Sequence, residues 1–205
     1  MTTLARVPPG RAGRLWLRRR LKVARRGVDL LQRELRVLVR EHHRLASVAE
    51  RTAQTWTAAC AEADMWALRA CLADGRRVLR PAPPAHVTVR WEETMGLRFP
   101  VDATCTPAED PTPMAASAAL SETRKAAWTA LQAAVDHAVA REAERRVSQQ
   151  ITVIRQRIRA LQDRWIPRLT AALRQIDLAI EEAERADAAR LLRIGRLSIE
   201  RQNDS

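Results

Sequence analysis

Tyrosine is absent from this chain of 205 residues, and phenylalanine occurs once, at Phe99. That is a poor profile for a wide aromatic core. Glycine is scarce: the six glycines fall at 10, 13, 27, 75, 96 and 195, and none makes a Walker A or dinucleotide-binding loop. The four histidines, His42, His43, His86 and His137, form no HExxH motif, and none follows a Glu by three residues as a helical di-iron site requires. No nucleophile, base and orienting acid occur in a recognisable order. The sequence therefore predicts no catalytic, cofactor-binding or metal-binding residue, and catalysis by this chain alone is not expected. Cys60 and Cys71 lie on one predicted helix, about 16 Å apart at about 1.5 Å per residue, so they cannot bridge within one chain. Reduced thiols and a cytoplasmic setting follow. Long apolar runs are missing too. The longest stretches free of charge reach about a dozen residues, short of the roughly 18 that span a bilayer, so no direct membrane insertion is expected.

Proline is unevenly placed. Seven of the ten prolines fall between Pro81 and Pro113, and Pro167 is the only one in the second half of the chain. Two long stretches, roughly 14–74 and 115–201, are almost free of breakers and rich in Ala, Leu, Arg and Glu, all strong helix formers. Helices of that length need mutual packing, because tertiary contact supplies most helical stability in water.

The pattern that supplies this packing starts at Leu21. A strict 3,4 alternation picks out Leu21, Ala24, Val28, Leu31, Leu35, Leu38, His42, Leu45, Ala49, Thr52, Trp56, Ala59, Ala63, Trp66, Ala70 and Ala73, and fourteen of these sixteen positions are apolar. The average step of about 3.5 residues is that of a left-handed coiled coil. His42 reads as a tolerated polar residue on this seam, and His137 as a surface or partner-facing residue. The C-terminal stretch carries a matching stripe: Val147, Ile151, Ile154, Ile158, Leu161, Trp165, Leu169, Leu173, Ile176, Ile180, Ala183, Asp187, Leu191 and Ile194. Its 3,4 spacing gives way to consecutive steps of four at Trp165, beside Pro167. A proline there cannot donate to the carbonyl of Asp163 and crowds that turn, so a kink or straightened segment is expected near 163–169.

The fold class expected is mainly all-α: a long antiparallel two-helix coiled coil with a small middle region. The organisation reads as an N-terminal shaft helix over 14–74, a middle region over 75–114 and a C-terminal shaft helix over 115–201. At about 1.5 Å per residue the first helix alone would extend roughly 90 Å, which predicts a rod. In the middle, Asp74-Gly75 reads as a helix stop, followed by a Pro-rich loop. His86–Trp91 and Leu97–Val101 read as two short strands of a hairpin over about 86–101. Residues 102–113 read as loop, with Pro113 placed to open the next helix.

Charge is lopsided. Residues 1–44 hold thirteen Lys or Arg against Asp29, Glu34 and Glu41, a net of +10 in a chain of net +12. The cluster Arg14, Arg18, Arg19, Arg20, Lys22, Arg25 and Arg26 rings most of the helix circumference. Solvated helix faces usually mix signs, so a one-sided excess points to an acidic partner. An acid-free, Arg-rich start also looks superficially like a mitochondrial presequence, but the helical pattern that begins there continues unbroken. Nucleic acid is the generic acidic partner. Against it stand the lack of aromatic interleaving and a coiled-coil seam running through the same residues.

Three stretches resemble the D subunit of the V- and A-type ATPases. Leu21-Lys22-Val23-Ala24-Arg25-Arg26-Gly27-Val28-Asp29-Leu30-Leu31 resembles the family's L-K-x-A-x-x-G-x-x-L-L segment. Met95-Gly96-Leu97-Arg98-Phe99-Pro100 is similar to its M-G-V-x-x-P segment. The most specific stretch is Ala160-Leu161, then Ile166-Pro167-Arg168-Leu169, then Ile176, Leu178 and Ala179, which is similar to the family's A-L-x-x-x-x-I-P-R-L pattern and its continuation. Order and separation also fit. Departures occur at Gln32-Arg33-Glu34, at Arg157-Ile158-Arg159 and at Ala188-Ala189, where family members usually carry Lys-Arg-Asp, Arg-Val-Asn and an aromatic pair.

The resemblance implies a central rotor shaft that transmits torque between a catalytic hexamer and a membrane ion-translocating ring. The implied partners are the catalytic A and non-catalytic B subunits, the small F subunit and the funnel-like C/d subunit. Arg14, Arg18, Arg19, Lys22, Arg25 and Arg26 would then face acidic loops of the ring. Two other readings of the residues stay open: a structural coiled-coil interaction protein, and a basic helical nucleic-acid-binding protein. The first predicts self-association through the seam, and the second a steep loss of binding with salt.

Overall fold

A computed structural model describes residues 7–75, 84–94, 96–107 and 117–203. The elements in order are helix α1 (Gly10–Asp74), strands β1 (His86–Thr94) and β2 (Leu97–Thr106), helix α2 (Ala118–Arg159), a π-helical turn (Ala160–Trp165) and helix α3 (Ile166–Asn203). The chain is mostly helical, with long helices and a small antiparallel two-stranded hairpin in the middle. The Pro-rich stretch 76–83, Met95 and residues 108–116, where a loop and the helix-opening Pro113 were expected, lie outside the described residues.

Helix α1 stops where the sequence places its stop. Gly75 takes φ +78°, open to glycine at no steric cost, and its N–H donates to the carbonyl of Cys71 at 3.0 Å. At the other long helix, Ser117 Oγ accepts from the N–H of Leu120 at 3.2 Å. This hydroxyl cap satisfies one of the first-turn donors that have no helical partner.

Contacts divide the chain into two compact units, residues 1–34 with 154–205, and residues 35–153. In the first unit, α1 pairs antiparallel with the C-terminal helices. Arg11 Nη2 meets Glu184 Oε1 at 2.9 Å and Arg14 meets Asp177 at 3.9 Å, while Leu17, Leu21 and Ala24 close on Leu169. Leu17 and Leu169 are fully buried, flanked by half-buried Trp16, Trp165, Ile166, Leu173 and Ile176. Every residue from 181 to 196 is exposed, including Leu191 and Ile194 of the expected stripe. Helix α1 begins at Gly10, and Arg11 already reaches Glu184.

In the second unit, α1 and α2 also run antiparallel, but the seam there is built of alanine. Ala59 packs on Ala130 and Ala133, flanked by Cys60 and Ala63. Ala126, Ala140 and Ala143 are buried as well. A methyl-sized group contributes about 0.8 kcal/mol on burial, against about 1.5–3 kcal/mol for a Leu or Ile side chain. The alanine seam therefore draws on polar contacts across the helices. His137 stacks on Trp56, with centroids 5.4 Å apart, and its Nδ1 lies 3.3 Å from Thr52 Oγ1. The Thr52 hydroxyl also lies within hydrogen-bond reach of the carbonyls of Val48 and Ala49. His137, read from sequence as a surface or partner-facing residue, is instead half-buried between the helices. His42 lies 3.8 Å from Glu144 of α2.

The hairpin pairs His86 with Thr106 and continues to Thr94 with Leu97. The register slips between Arg90, paired with Asp102, and Trp91, paired with Pro100, leaving Val101 as the extra residue of a bulge. Pro100 cannot donate to the ladder, and a bulge is where a strand tolerates proline. Beyond Val101 the ladder resumes, so residues 102–106, read from sequence as loop, are strand. The hairpin is fastened to α2. Arg146 Nη1 donates to the carbonyl of Arg98 at 3.2 Å, and its guanidinium lies 4.8 Å from the Trp91 ring. Arg98 contacts the same ring at 5.4 Å.

The break in the C-terminal stretch is a π-turn just ahead of Pro167. The N–H of Ile166 reaches back to the carbonyl of Leu161, five residues rather than four. A π-turn inserts one residue into an α-helix. The stripe shows the same surplus in the sequence: the steps 161, 165, 169, 173 run one residue long against strict 3,4 alternation. The insertion lets Ile158 and Leu169, on either side, both remain buried.

Candidate functional site

The basic cluster lies on the first turns of α1, and helix periodicity divides it. Arg14, three residues before Leu17, turns toward α3. It is half-buried beside Asp177, yet at 3.9 Å the pair is too long for a hydrogen bond, and Arg14 Nε and Asp177 Oδ1 have no hydrogen-bond partner among the described residues. Arg20 lies over the Trp16 ring at 4.7 Å. Arg18, Arg19, Lys22, Arg25 and Arg26 are exposed, and no described carboxylate pairs with them.

Two open grooves flank this stretch. One, of about 570 Å³, is bounded by Trp16, Arg19, Arg20 and Val23 on α1 and by Leu161 and Trp165 of the π-turn, with Ala24 and Gly27 completing it. Its lining is mainly apolar. The other, of about 420 Å³, is lined by Arg18, Leu21, Lys22, Arg25, Arg26 and Asp29. Its rim carries four cations against one carboxylate, so it presents a strongly positive surface.

Of the seam residues singled out from the sequence, Leu21, Val28, Leu38, Leu45, Ile151, Ile154, Ile158 and Leu169 are buried. Leu31, Leu35, Leu161, Ile176 and Ile180 are half-buried. Pro167 follows the π-turn on the exposed side. Three features escaped the sequence reading. Leu17 continues the 3,4 pattern one step before Leu21, so it was readable by extending the stripe. The buried row Leu120, Thr123, Ala126, Ala130 and Ala133 continues the C-terminal stripe backwards, but alanine contrasts weakly with its surroundings. The Arg146–Trp91–Arg98 contact joins residues far apart in sequence and has no local signal.

Ion pairs along both long helices shift their members: on α1 the hydrogen bonds from Arg44 lower the Glu41 carboxyl, and the same contact raises the Arg44 guanidinium. Glu142 accepts from Arg145 Nε and Arg146 Nε at 2.7 Å each, and these bonds hold its carboxyl at about 2. The same interaction raises the Arg145 guanidinium. Glu142 thus steadies the arginine that fastens the hairpin. Among the described residues no group of three or more His, Cys, Asp or Glu is placed to hold a metal ion. None of the described helices is long and apolar enough to cross a membrane.

Comparison with known proteins bears on the same span. Residues 15–196 match the family model of the ATP synthase D subunit. The V-type ATP synthase D subunit of Thermus thermophilus, in each of two strains, is 29% identical over 197 residues, covering 93% of this chain and 88% of the relative. The match includes both arms of the helical pairing and the hairpin between them, and the chain belongs to the ATP synthase D-subunit family.

Proposed function

We propose that this chain is the central rotor shaft of a rotary V/A-type ATPase, non-catalytic in itself. It carries torque between the catalytic hexamer and the ion-translocating membrane ring, on the cytoplasmic side. The observation that supports this most is the family match over residues 15–196, joined to an α1 on which Arg18, Arg19, Lys22, Arg25 and Arg26 are exposed with no described carboxylate partner. A shaft turning inside a ring presents different faces to successive catalytic sites. It biases each site's conformational equilibrium by differential contact, which is how a protein without an active site drives catalysis in its neighbours.

In this reading the A and B subunits surround α1 and the C-terminal helices, the F subunit binds the shaft's side, and the C/d subunit links it to the membrane ring. Arg18, Arg19, Lys22, Arg25 and Arg26 form an electrostatic bearing against acidic loops of the ring. Such contacts are exposed and individually weak, about 0–1 kcal/mol each, so no orientation becomes a trap.

Reconstitution with the A, B and F subunits and ATP tests the reading, with rotation of a bead on the shaft as readout. The chain restores ATP-driven rotation if it is the shaft. Failure to assemble with the hexamer overturns the proposal. Neutralising Arg18, Arg19 and Lys22 together lowers torque, and unchanged torque and turnover refute the bearing.

A further inference from the structure

Helix α1 carries a second heptad stripe, which starts beside the seam at half-buried Trp16 and runs on along exposed positions. Trp16, Arg19, Val23, Arg26, Leu30 and Arg33 follow one another at steps of 3, 4, 3, 4 and 3, with every apolar residue answered by an arginine. In the sequence the alternation runs on to Val37 and Arg40. A 3,4 spacing keeps side chains on one line of a helix, so this is a continuous ridge. From Arg19 onward it is uncovered: Val23 is 71% exposed and Leu30 54%, and Arg19, Arg26 and Arg33 pair with no described carboxylate.

The ridge begins at an empty socket. In coiled coils a knob enters a hole made by residues i, i+3, i+4 and i+7 of the facing helix. Trp16, Arg19, Arg20 and Val23 have that spacing, and so do Arg20, Val23, Ala24 and Gly27. Together they are the α1 wall of the apolar groove of about 570 Å³, whose other wall is Leu161 and Trp165. At Gly27 an added Cβ would meet nothing within 4 Å, so the second hole stands open. Trp and Arg are the side chains that most often anchor protein interfaces.

We propose that this ridge docks a third helix, contributed by a partner protein, whose heptad stripe alternates aliphatic side chains with carboxylates. Its aliphatic knobs fill the two holes, and its carboxylates meet Arg19, Arg26 and Arg33, which recur about 10 Å apart along α1. A second copy of this chain is disfavoured as the occupant. Its net charge is +12, and its own ridge would set arginine against arginine. The proposal rests on reading this part of α1 as a partner surface and supplies the partner's chemistry.

The test uses the full chain and a fluorescein-labelled synthetic peptide of about 18 residues, matching the roughly 26 Å from Trp16 to Arg33. The peptide carries Leu and Glu in 3,4 alternation. An isomer of the same composition scatters them around the helix. Anisotropy is read at about 0.15 M salt and again at several-fold higher salt, where surface charge is screened. The patterned peptide binds at least about tenfold tighter than the isomer, and the preference survives in high salt. It is lost in the R19E/R26E/R33E chain, in Val23→Asp, and in Gly27→Leu, which fills the hole from within. These positions are not buried, and circular dichroism checks each variant; if the triple variant unfolds, the other two decide. Equal binding of the isomer overturns the proposal, as does unchanged binding to the folded variants, or a dimer of the chain alone that Val23→Asp dissolves. The experiment does not read rotation. Its failure leaves the shaft standing, and failed reconstitution with intact peptide preference removes only the shaft.

Discussion

Deleting Gln162 and replacing Pro167 with Ala would turn the π-turn between α2 and α3 into ordinary α-helix, and the structure predicts that the chain tolerates it. An α-helix advances about 100° per residue. If the turn were only a local distortion, losing one residue would swing everything beyond it by that angle. Fully buried Leu169 would leave its contact with Leu17, Leu21 and Ala24. Emptying such a site costs about 2–5 kcal/mol, before counting Leu173 and Ile176. If instead the turn holds one surplus residue, as the three steps of four imply, removing exposed Gln162 leaves Ile158 and Leu169 in place. The double variant should then unfold within about 1 kcal/mol of Pro167→Ala alone, the range of an ordinary surface change. Deleting Gln162 with Pro167 retained should cost about 3 kcal/mol, because the proline then sits inside a regular helix. Deleting exposed Gln175, where no surplus exists, turns Ile176, Asp177 and Ile180 away from α1 and lowers stability as a control. Urea unfolding followed by far-ultraviolet circular dichroism measures all four variants. A loss of about 3 kcal/mol or more in the double variant, relative to Pro167→Ala, would refute the surplus-residue explanation.

Two further predictions follow from single side chains. Because the Glu142 carboxyl is held at about 2 by Arg145 and Arg146, below its unfolded value near about 4.3, its stabilising effect is complete above that value and disappears as pH falls toward 2. Protection of the 86–106 hairpin amides, taken relative to their intrinsic exchange at each pH, should fall over that acid range, and Glu142→Gln should lower it similarly at neutral pH; unchanged protection in the variant would show that Arg146 does not need its carboxylate. Gly13→Ala should lower stability by about 1–3 kcal/mol although alanine is the better helix former, because its Cβ would run into the Pro8 carbonyl oxygen and lie 3.1 Å from Ile176 Cδ1; equal or raised stability in urea melts would show that the 7–9 segment moves aside freely.

Much of the helical pairing was legible because it obeys a period. Leu21 through Leu45 and Ile151 through Leu169 recur at steps that only a paired helix explains, and the stripe residues in both runs are buried or half-buried. Gly75 marked the end of α1 for an equally local reason, its positive φ. The hairpin was legible in place but not in extent. The bulge at Val101 breaks the alternation that marks a strand, and residues beyond it were read as loop. The basic cluster was visible as composition, but its sorting was not. Which cation faces Asp177 and which faces solvent depends on the phase of α1 against α3.

The sequence by itself determined that this chain builds long helices which must pair, since heptad spacing, helix-forming composition and scarce breakers are properties of neighbours along the chain. It also determined that something irregular lies at Pro167, because one surplus residue in a stripe is a matter of counting. Only tertiary structure decided what that irregularity is, a π-turn that keeps Ile158 and Leu169 both buried. Tertiary structure also brought His137 against Trp56, and Arg146 onto Trp91 and the Arg98 carbonyl. These contacts join residues dozens of positions apart, and their energy exists only once the backbone has folded back on itself.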